Sequence, residues 1–177
     1  AEGGQWHHVP TMYVRAEGNP GERLHYAFIE MEGGRGVDVA ADKLSRMLYT
    51  GITLNTRPQE RVELEWKASD YRLNDLDGGR WRLHERVLQL VGVGYITAQD
   101  SLRLIAQHTL SKRNPAAYAF TVTPKSQTQA ISLVYSHKRG LGREFNLGVT
   151  QSNQRATGSA NHIATEVFAK LSWAVNL

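Results

Sequence analysis

The 177-residue chain contains no cysteine, which excludes a disulfide scaffold, a cysteine-ligated zinc site and thiol catalysis. It also lacks any apolar run approaching the roughly 18–20 residues that a membrane-spanning helix requires, and its mean hydropathy is −0.44. A block of one charge sign is missing as well, because 21 Lys and Arg are interspersed with 17 Asp and Glu. We therefore predict no nucleic-acid partner.

What the sequence does contain is period-two alternation, which indicates β-strands with two different faces. In the clearest segment, residues 62–68, apolar side chains occupy the even positions and charged side chains the odd ones. Similar alternation recurs at 88–96, 102–107, 131–136, 145–150 and 167–177. A strand with one apolar and one charged face separates two environments.

Upstream strands are less regular and cover Thr11–Ala16, Leu24–Glu32 and Met47–Thr56. The faces of Leu24–Glu32 stay open, since aromatic side chains fall on one side and aliphatic ones on the other. The total is about nine strands, to within one or two. We interpret residues 1–177 as a single unit, with the less certain strands in 1–56 and regular membrane-spanning strands in 57–177.

The predicted connections fall into two lengths. Those at Ala98–Asp100 and Gly140–Gly142 are tight, whereas Ser69–Arg80 and Lys112–Gln127 are long and polar. This arrangement is typical of an all-β, antiparallel up-and-down transmembrane β-barrel in the bacterial outer membrane. Closure of such a sheet removes its unpaired edges. A closed bacterial barrel normally has an even number of strands, so the odd count means either that one strand is miscounted or that these about 8–10 strands belong to a larger barrel. Another fragment or chain would complete it.

On this interpretation the alternation assigns two sets of side chains. The predicted lumen-lining set is Glu63, Glu65, Lys67, Gln89, Arg103 and Gln107. The predicted lipid-facing set is Val62, Leu64, Trp66, Leu88, Leu90, Leu102, Leu104, Ile131, Leu133, Phe145, Leu147, Leu171 and Trp173. Opposite charges in the lumen are expected to pair between strands about 4.8 Å apart.

The end of the chain resembles the C-terminal signal that the barrel insertion machinery reads. Lys170, Ser172, Val175 and Leu177 match its spacing of a polar residue, a small residue and two apolar residues. The ending departs from the usual pattern in one respect, because the terminal residue is commonly aromatic and here it is leucine.

Four stretches of the second half carry a family resemblance. They are Glu85–Leu90, Ser101–Gln107, Arg113–Pro115 followed by Tyr118, and Phe168–Ser172. Over about Thr56–Leu177 the chain resembles the C-terminal barrel of a poorly characterised bacterial family, whose members look like outer-membrane proteins. Their N-terminal sandwich is similar to family-9 carbohydrate-binding modules. The resemblance implies that this chain is the last part of a larger polypeptide without that sandwich, which puts sugar binding in doubt.

Candidate chemistry is sparse. Asn74–Gly79 contains the Asp-x-Asp-Gly of a calcium loop, but Leu73 stands where an oxygen ligand is needed, so a polar external loop is the better interpretation. His7 and His8 are adjacent and would point to opposite faces of a strand, which disfavours a shared metal. Gly92-Val93-Gly94 lacks the third glycine and the helix of a phosphate cradle. We predict no enzyme, no metal and no cofactor.

The sequence therefore predicts an integral outer-membrane barrel protein or C-terminal barrel fragment. It would act as a pore, a transport component or the membrane anchor of a surface assembly, in contact with membrane lipid and lipopolysaccharide. The alternative is a soluble β-sandwich or barrel that binds carbohydrate or protein. The two differ in whether side chains such as Leu64, Trp66 and Leu133 meet hydrocarbon or a sealed protein core.

Overall fold

Nine strands form one antiparallel sheet in chain order, which confirms the predicted all-β, up-and-down arrangement. A computed structural model describes residues 8–140 and 143–173. The strands are β1 (Thr11–Gly18), β2 (Leu24–Asp38), β3 (Lys43–Gln59), β4 (Val62–Asn74), β5 (Trp81–Tyr95), β6 (Asp100–Arg113), β7 (Lys125–Lys138), β8 (Arg143–Ala156) and β9 (His162–Trp173). In these residues the one helical element is a 3₁₀ turn at Pro115–Ala117.

β4 and β5 are longer than the sequence predicts, because their alternation continues with its phase inverted. In β4 the apolar side chains occupy even positions up to Ala68, and beyond it they occupy the odd positions Tyr71 and Leu73. A sequence pattern that follows only the first phase of apolar residues places the end of the strand at this change. The predicted loop Ser69–Arg80 therefore shortens to 75–80, and the predicted loop Lys112–Gln127 shortens to 114–124 because β6 and β7 continue through polar residues.

A small core forms where the inverted alternation directs apolar side chains. Met47, Leu73 and Leu83 are buried there, packed against Tyr49 and Tyr71. They are the only buried hydrophobic side chains in the described part of the chain. A sheet of nine strands with so small a core leaves most of its apolar side chains in contact with something other than this chain.

The connections lie at two ends of the sheet. One end, the short-turn end, carries 19–23, 60–61, 96–99 and the connection from β7 to β8. The other, the long-connection end, carries 39–42, 75–80, 114–124 and 157–161. The longest of these, 114–124, lies close to the small core.

The sheet is open within the described residues. β1 pairs only with β2, and β9 pairs only with β8. Because the strand number is odd and every pair is antiparallel, β1 and β9 run in the same direction. The closed barrel therefore remains a proposal.

Candidate membrane interface and polar face

The strand register assigns each residue to one of two faces, since directly opposite residues on antiparallel strands project to the same side. Trp66 lies opposite Leu54 and Leu90, Leu90 lies opposite Ala106, and Ala106 lies opposite Ile131. We call this side the apolar face and the other side the polar face. The register extends both faces over all nine strands.

All thirteen residues predicted to face lipid lie on the apolar face. Ten of them are exposed, among them Leu104 at 38%, Trp66 at 44% and Leu147 at 46%, and Val62, Leu64 and Leu90 are half-buried. No second layer of the described chain covers them. The sealed protein core that a sandwich requires is not formed on this side.

The apolar face also includes the N-terminal strands, whose faces the sequence leaves open. Ile29 lies opposite both Ile52 of β3 and Ala16 of β1, which places the aliphatic side of β2 on the apolar face. Tyr26 and Phe28 consequently project to the polar face. Periodicity alone does not reveal this assignment, because it depends on pairing with β3.

The apolar side chains on this face form a belt that ends abruptly toward the long-connection end. On β4 the belt covers residues 62–68, about 20 Å along the strand, against an outward apolar band of about 25 Å in outer-membrane barrels. Strand tilt makes its height smaller still. Directly beyond it the same face carries Asp70, Arg72 and Arg86.

All six residues predicted to line a lumen lie on the polar face. Lys67 lies opposite Gln89, which lies opposite Gln107. The Lys67 ammonium is 2.9 Å from a Glu65 carboxylate oxygen, and the Gln89 amide donates to the Gln107 carbonyl at 3.5 Å. The ion pair between Glu65 and Lys67 joins two residues of the same strand, so it is not the pairing between strands that the sequence predicts.

Glu63 and Arg103 lie on adjacent parts of the polar face. The Glu63 carboxylate accepts hydrogen bonds from the Arg57 guanidinium and, at 3.2 Å, from the Tyr95 hydroxyl. Glu63, Arg103 and Asn55 line a cavity of about 200 Å³. The charged side chains here form hydrogen bonds with one another and with a tyrosine hydroxyl, beside a cavity that is large enough for water.

Sequence reasoning missed a second carboxylate site on the polar face, at Glu30. Its two oxygens accept hydrogen bonds from the hydroxyls of Tyr13 at 3.0 Å and Tyr49 at 2.9 Å. Gly51 leaves the necessary space, since a Cβ atom there would lie 2.7 Å from a Glu30 oxygen. The signal that could have predicted this close approach is Gly51, a glycine within a strand. In the structure it lies opposite Glu30.

Arg82 is the centre of a buried ionic cluster at the long-connection end. Its guanidinium donates to Asp38 at 3.0 Å, to Asp75 at 3.1 Å and to the carbonyl of Ala117 at 2.9 Å. The Arg82 side chain is 2% exposed and that of Asp38 is 3% exposed. The guanidinium also lies 4.9 Å from the centre of the Tyr118 ring, so Arg82 fixes the 114–124 connection against the sheet.

The groups around Arg82 titrate outside their ordinary ranges. The hydrogen bond from Lys43 and the neighbouring Arg82 lower the pKa of Asp75, while burial raises the pKa of Tyr118 to about 12. Asp75 is therefore ionised and Tyr118 neutral over the working pH range. With its carboxylate engaged by cations, Asp75 does not offer the free oxygen that a calcium loop needs.

Asp100 organises the turn between β5 and β6 at the opposite end of the sheet. It accepts hydrogen bonds from Thr97 at 2.6 Å, from Tyr135 at 2.5 Å and from the ring of His137 at 2.7 Å. Together these three hydrogen bonds lower the pKa of Asp100 to about 2. The hydrogen bond from Thr97 lowers it most, followed by those from Tyr135 and His137.

We expect Asp100→Asn to remove a pH-dependent part of the stability. Because the folded pKa of about 2 lies below the ordinary value of 3.8, the carboxylate stabilises the fold above about pH 4, and this contribution is lost as pH falls toward 2. The unfolding midpoints of the original and substituted proteins should thus differ at pH 6 and converge at pH 2. A constant difference over that range would show that Asp100 does not act through its charge.

Part of the predicted insertion signal can be located. Lys170 and Ser172 lie on the polar face of β9, whereas Val175 and Leu177 lie outside the described residues, as does His7. Over the residues with a described structure, no group of three or more His, Asp or Glu side chains is arranged to hold a metal ion.

No helix in the described ranges is long and apolar enough to cross a membrane. No protein-family model, curated protein or solved structure matches the chain.

Proposed function

We propose that this chain is an integral membrane β-barrel segment of the bacterial outer membrane, with its apolar face in lipid and its polar face lining a hydrated interior. It would serve as a pore, a transport component or the membrane anchor of a surface assembly. The family resemblance of about Thr56–Leu177 agrees with this proposal.

The observation that carries the proposal is the inversion of hydrophobicity along the strands. In the belt, apolar side chains project to the uncovered face. At the long-connection end Met47, Leu73 and Leu83 project to the opposite face, where they are buried, while Leu48 and Leu110 stay on the apolar face. A sheet surrounded by water throughout would keep one apolar side along its whole length. Hydrocarbon around the belt and water around the long-connection end account for both phases.

The exposed surface also supports a membrane environment. The chain exposes 12421 Å², whereas a compact water-soluble monomer of 19.8 kDa is expected to expose about 8,600 Å². The excess consists in part of the large apolar side chains of the belt. In water such a surface would drive aggregation.

The open edges specify what has to complete the barrel. β1 and β9 run in the same direction, so a barrel with only antiparallel neighbours needs an odd number of additional strands. A second copy also supplies nine strands, which is an odd number, but when it is inserted in the same orientation its β1 runs parallel to β9 of the first copy, so the junctions between the copies are not antiparallel. We infer that a different fragment or chain completes the sheet, and that the barrel insertion machinery assembles them.

Fractionation of cells that produce the protein tests the proposal. We expect the chain in the outer-membrane fraction, resistant to carbonate washing, soluble only in detergent, and migrating differently on a gel before and after boiling. Mass measurement of the polypeptides that purify with it should reveal the completing chain. Conductance across a planar bilayer then separates a pore from an anchor, while recovery of a folded, detergent-free monomer would overturn the proposal in favour of the soluble binding module.

A further inference from the structure

A row of basic side chains crosses four strands on the apolar face, beyond the belt. Arg72 of β4 lies opposite His84 of β5, His84 lies opposite Lys112 of β6, and Lys112 lies opposite Lys125 of β7. We call these four residues the basic row. With strands about 4.8 Å apart, the row is about 14 Å long, which is comparable with one large lipid headgroup.

The charge of the row is only partly balanced. Asp70 is the one carboxylate that the register places on this side of the described strands between the belt and the long connections. It already holds His84 at 2.7 Å and Arg86 at 3.1 Å, together with Arg72. A net positive charge therefore remains before the lysines are counted.

Lys112 and Lys125 form an unrelieved like-charge pair. Both side chains are exposed, they lie directly opposite each other, and no carboxylate of the described chain forms an ion pair with either of them. Like charges directly opposite in a sheet are destabilising. The same arrangement recurs at Arg35 and Arg46 on β2 and β3, and an anion between the cations would remove the penalty.

A groove adjoins the row and has the composition of a sugar-phosphate site. Its volume is about 460 Å³, and its lining includes Arg72, His84, Lys112 and the side chain of Trp81, which is 47% exposed. Cations suit phosphate oxygens, and the exposed indole offers an apolar surface for a sugar ring. Few other ligands need both cationic groups and an apolar ring surface.

The distance between the belt and the basic row determines which lipid headgroups are long enough to reach the row. Arg72 follows Ala68 by four positions, about 13 Å along β4, while the headgroup layer of an ordinary bilayer adds only about 5–8 Å per leaflet. A headgroup of phosphorylated sugars extends far enough to meet the row. The long Lys and Arg side chains can also reach back toward the belt.

We propose that the basic row binds the phosphate groups of a phosphorylated glycolipid in the external leaflet. Lys112 and Lys125 share one phosphate, and Trp81 packs against a sugar ring. The inference rests on the proposed function, which places the long-connection end at the external surface and the belt in hydrocarbon.

Titration of the detergent-solubilised protein with diphosphorylated lipid A, followed by native mass spectrometry, tests this site. Each lysine near an anionic headgroup is expected to contribute a factor of about five in affinity, so Lys112→Gln combined with Lys125→Gln should weaken binding about 25-fold. The matched control combines Lys138→Gln with Arg143→Gln, which removes the same charge at the short-turn end. Its affinity should stay within about twofold of the original.

The outcomes separate this site from the membrane proposal. Insertion is scored independently by heat-modifiable migration, which the lysine substitutions should not change. Equal lipid A affinities for the original and the double variant, with insertion intact, would overturn the site and leave the membrane proposal standing. Displacement of lipid A by inorganic phosphate at a similar concentration would overturn the glycolipid as occupant, whereas loss of insertion in the unsubstituted protein would overturn the proposed function.

Discussion

Leu104→Arg is expected to reduce the free energy of unfolding in lipid vesicles by about 2–4 kcal/mol, the cost of a cation near the midplane on the lipid side of a barrel. Leu104 lies in the middle of the belt on β6, between Leu102 and Ala106, and is 38% exposed. In a soluble protein the same replacement at so exposed a position would change stability by no more than about 0.5 kcal/mol. Urea unfolding of the vesicle-inserted protein measures the difference.

Two control substitutions isolate the effect of hydrocarbon. Gln129→Arg introduces the same side chain on the apolar face beyond the belt, where a cost of about 0–1 kcal/mol is expected near the interface. Gln107→Arg introduces it on the polar face of the same strand as Leu104. If all three variants lost equal stability, the belt would not be in contact with lipid.

The arrangement of strands and faces could largely be predicted from the sequence, because it depends on local alternation. The thirteen residues predicted to face lipid, among them Trp66 and Leu133, share one face of the sheet in the structure. The same holds for the polar set, such as Lys67 and Gln107. Alternation with a fixed period determines the face of every residue in a strand once one is known.

The inverted ends of the strands could not be predicted in the same way. Tyr71 and Leu73 have an apolar phase opposite to that of Leu64 and Trp66, and a single-phase pattern treats them as a loop. The ionic cluster depends on still longer separations, since Arg82 contacts Asp38 across 44 positions of sequence. Periodicity contains no information about such contacts, and the register between strands is needed to find them.

The largest effect on stability is expected for Arg82→Met, which removes the centre of that cluster. Asp38 would remain buried without its cation, and breaking a buried ion pair in this way typically costs about 3–5 kcal/mol. The 114–124 connection would also lose the hydrogen bond from Arg82 to Ala117 and the contact with Tyr118. We therefore expect a lower unfolding midpoint, together with faster cleavage by trypsin after Arg113 and Lys125.

A double-mutant cycle distinguishes loss of the ion pair from loss of packing. Combining Arg82→Met with Asp38→Asn removes both charges, so the double variant should be more stable than Arg82→Met alone if the unpaired carboxylate is the main cost. Arg82→Lys keeps the charge but lacks the planar fork that reaches Asp38, Asp75 and Ala117 together, and it should be intermediate. Additive effects in the cycle, with trypsin cleavage unchanged, would mean that Arg82 fills space without fixing the connection.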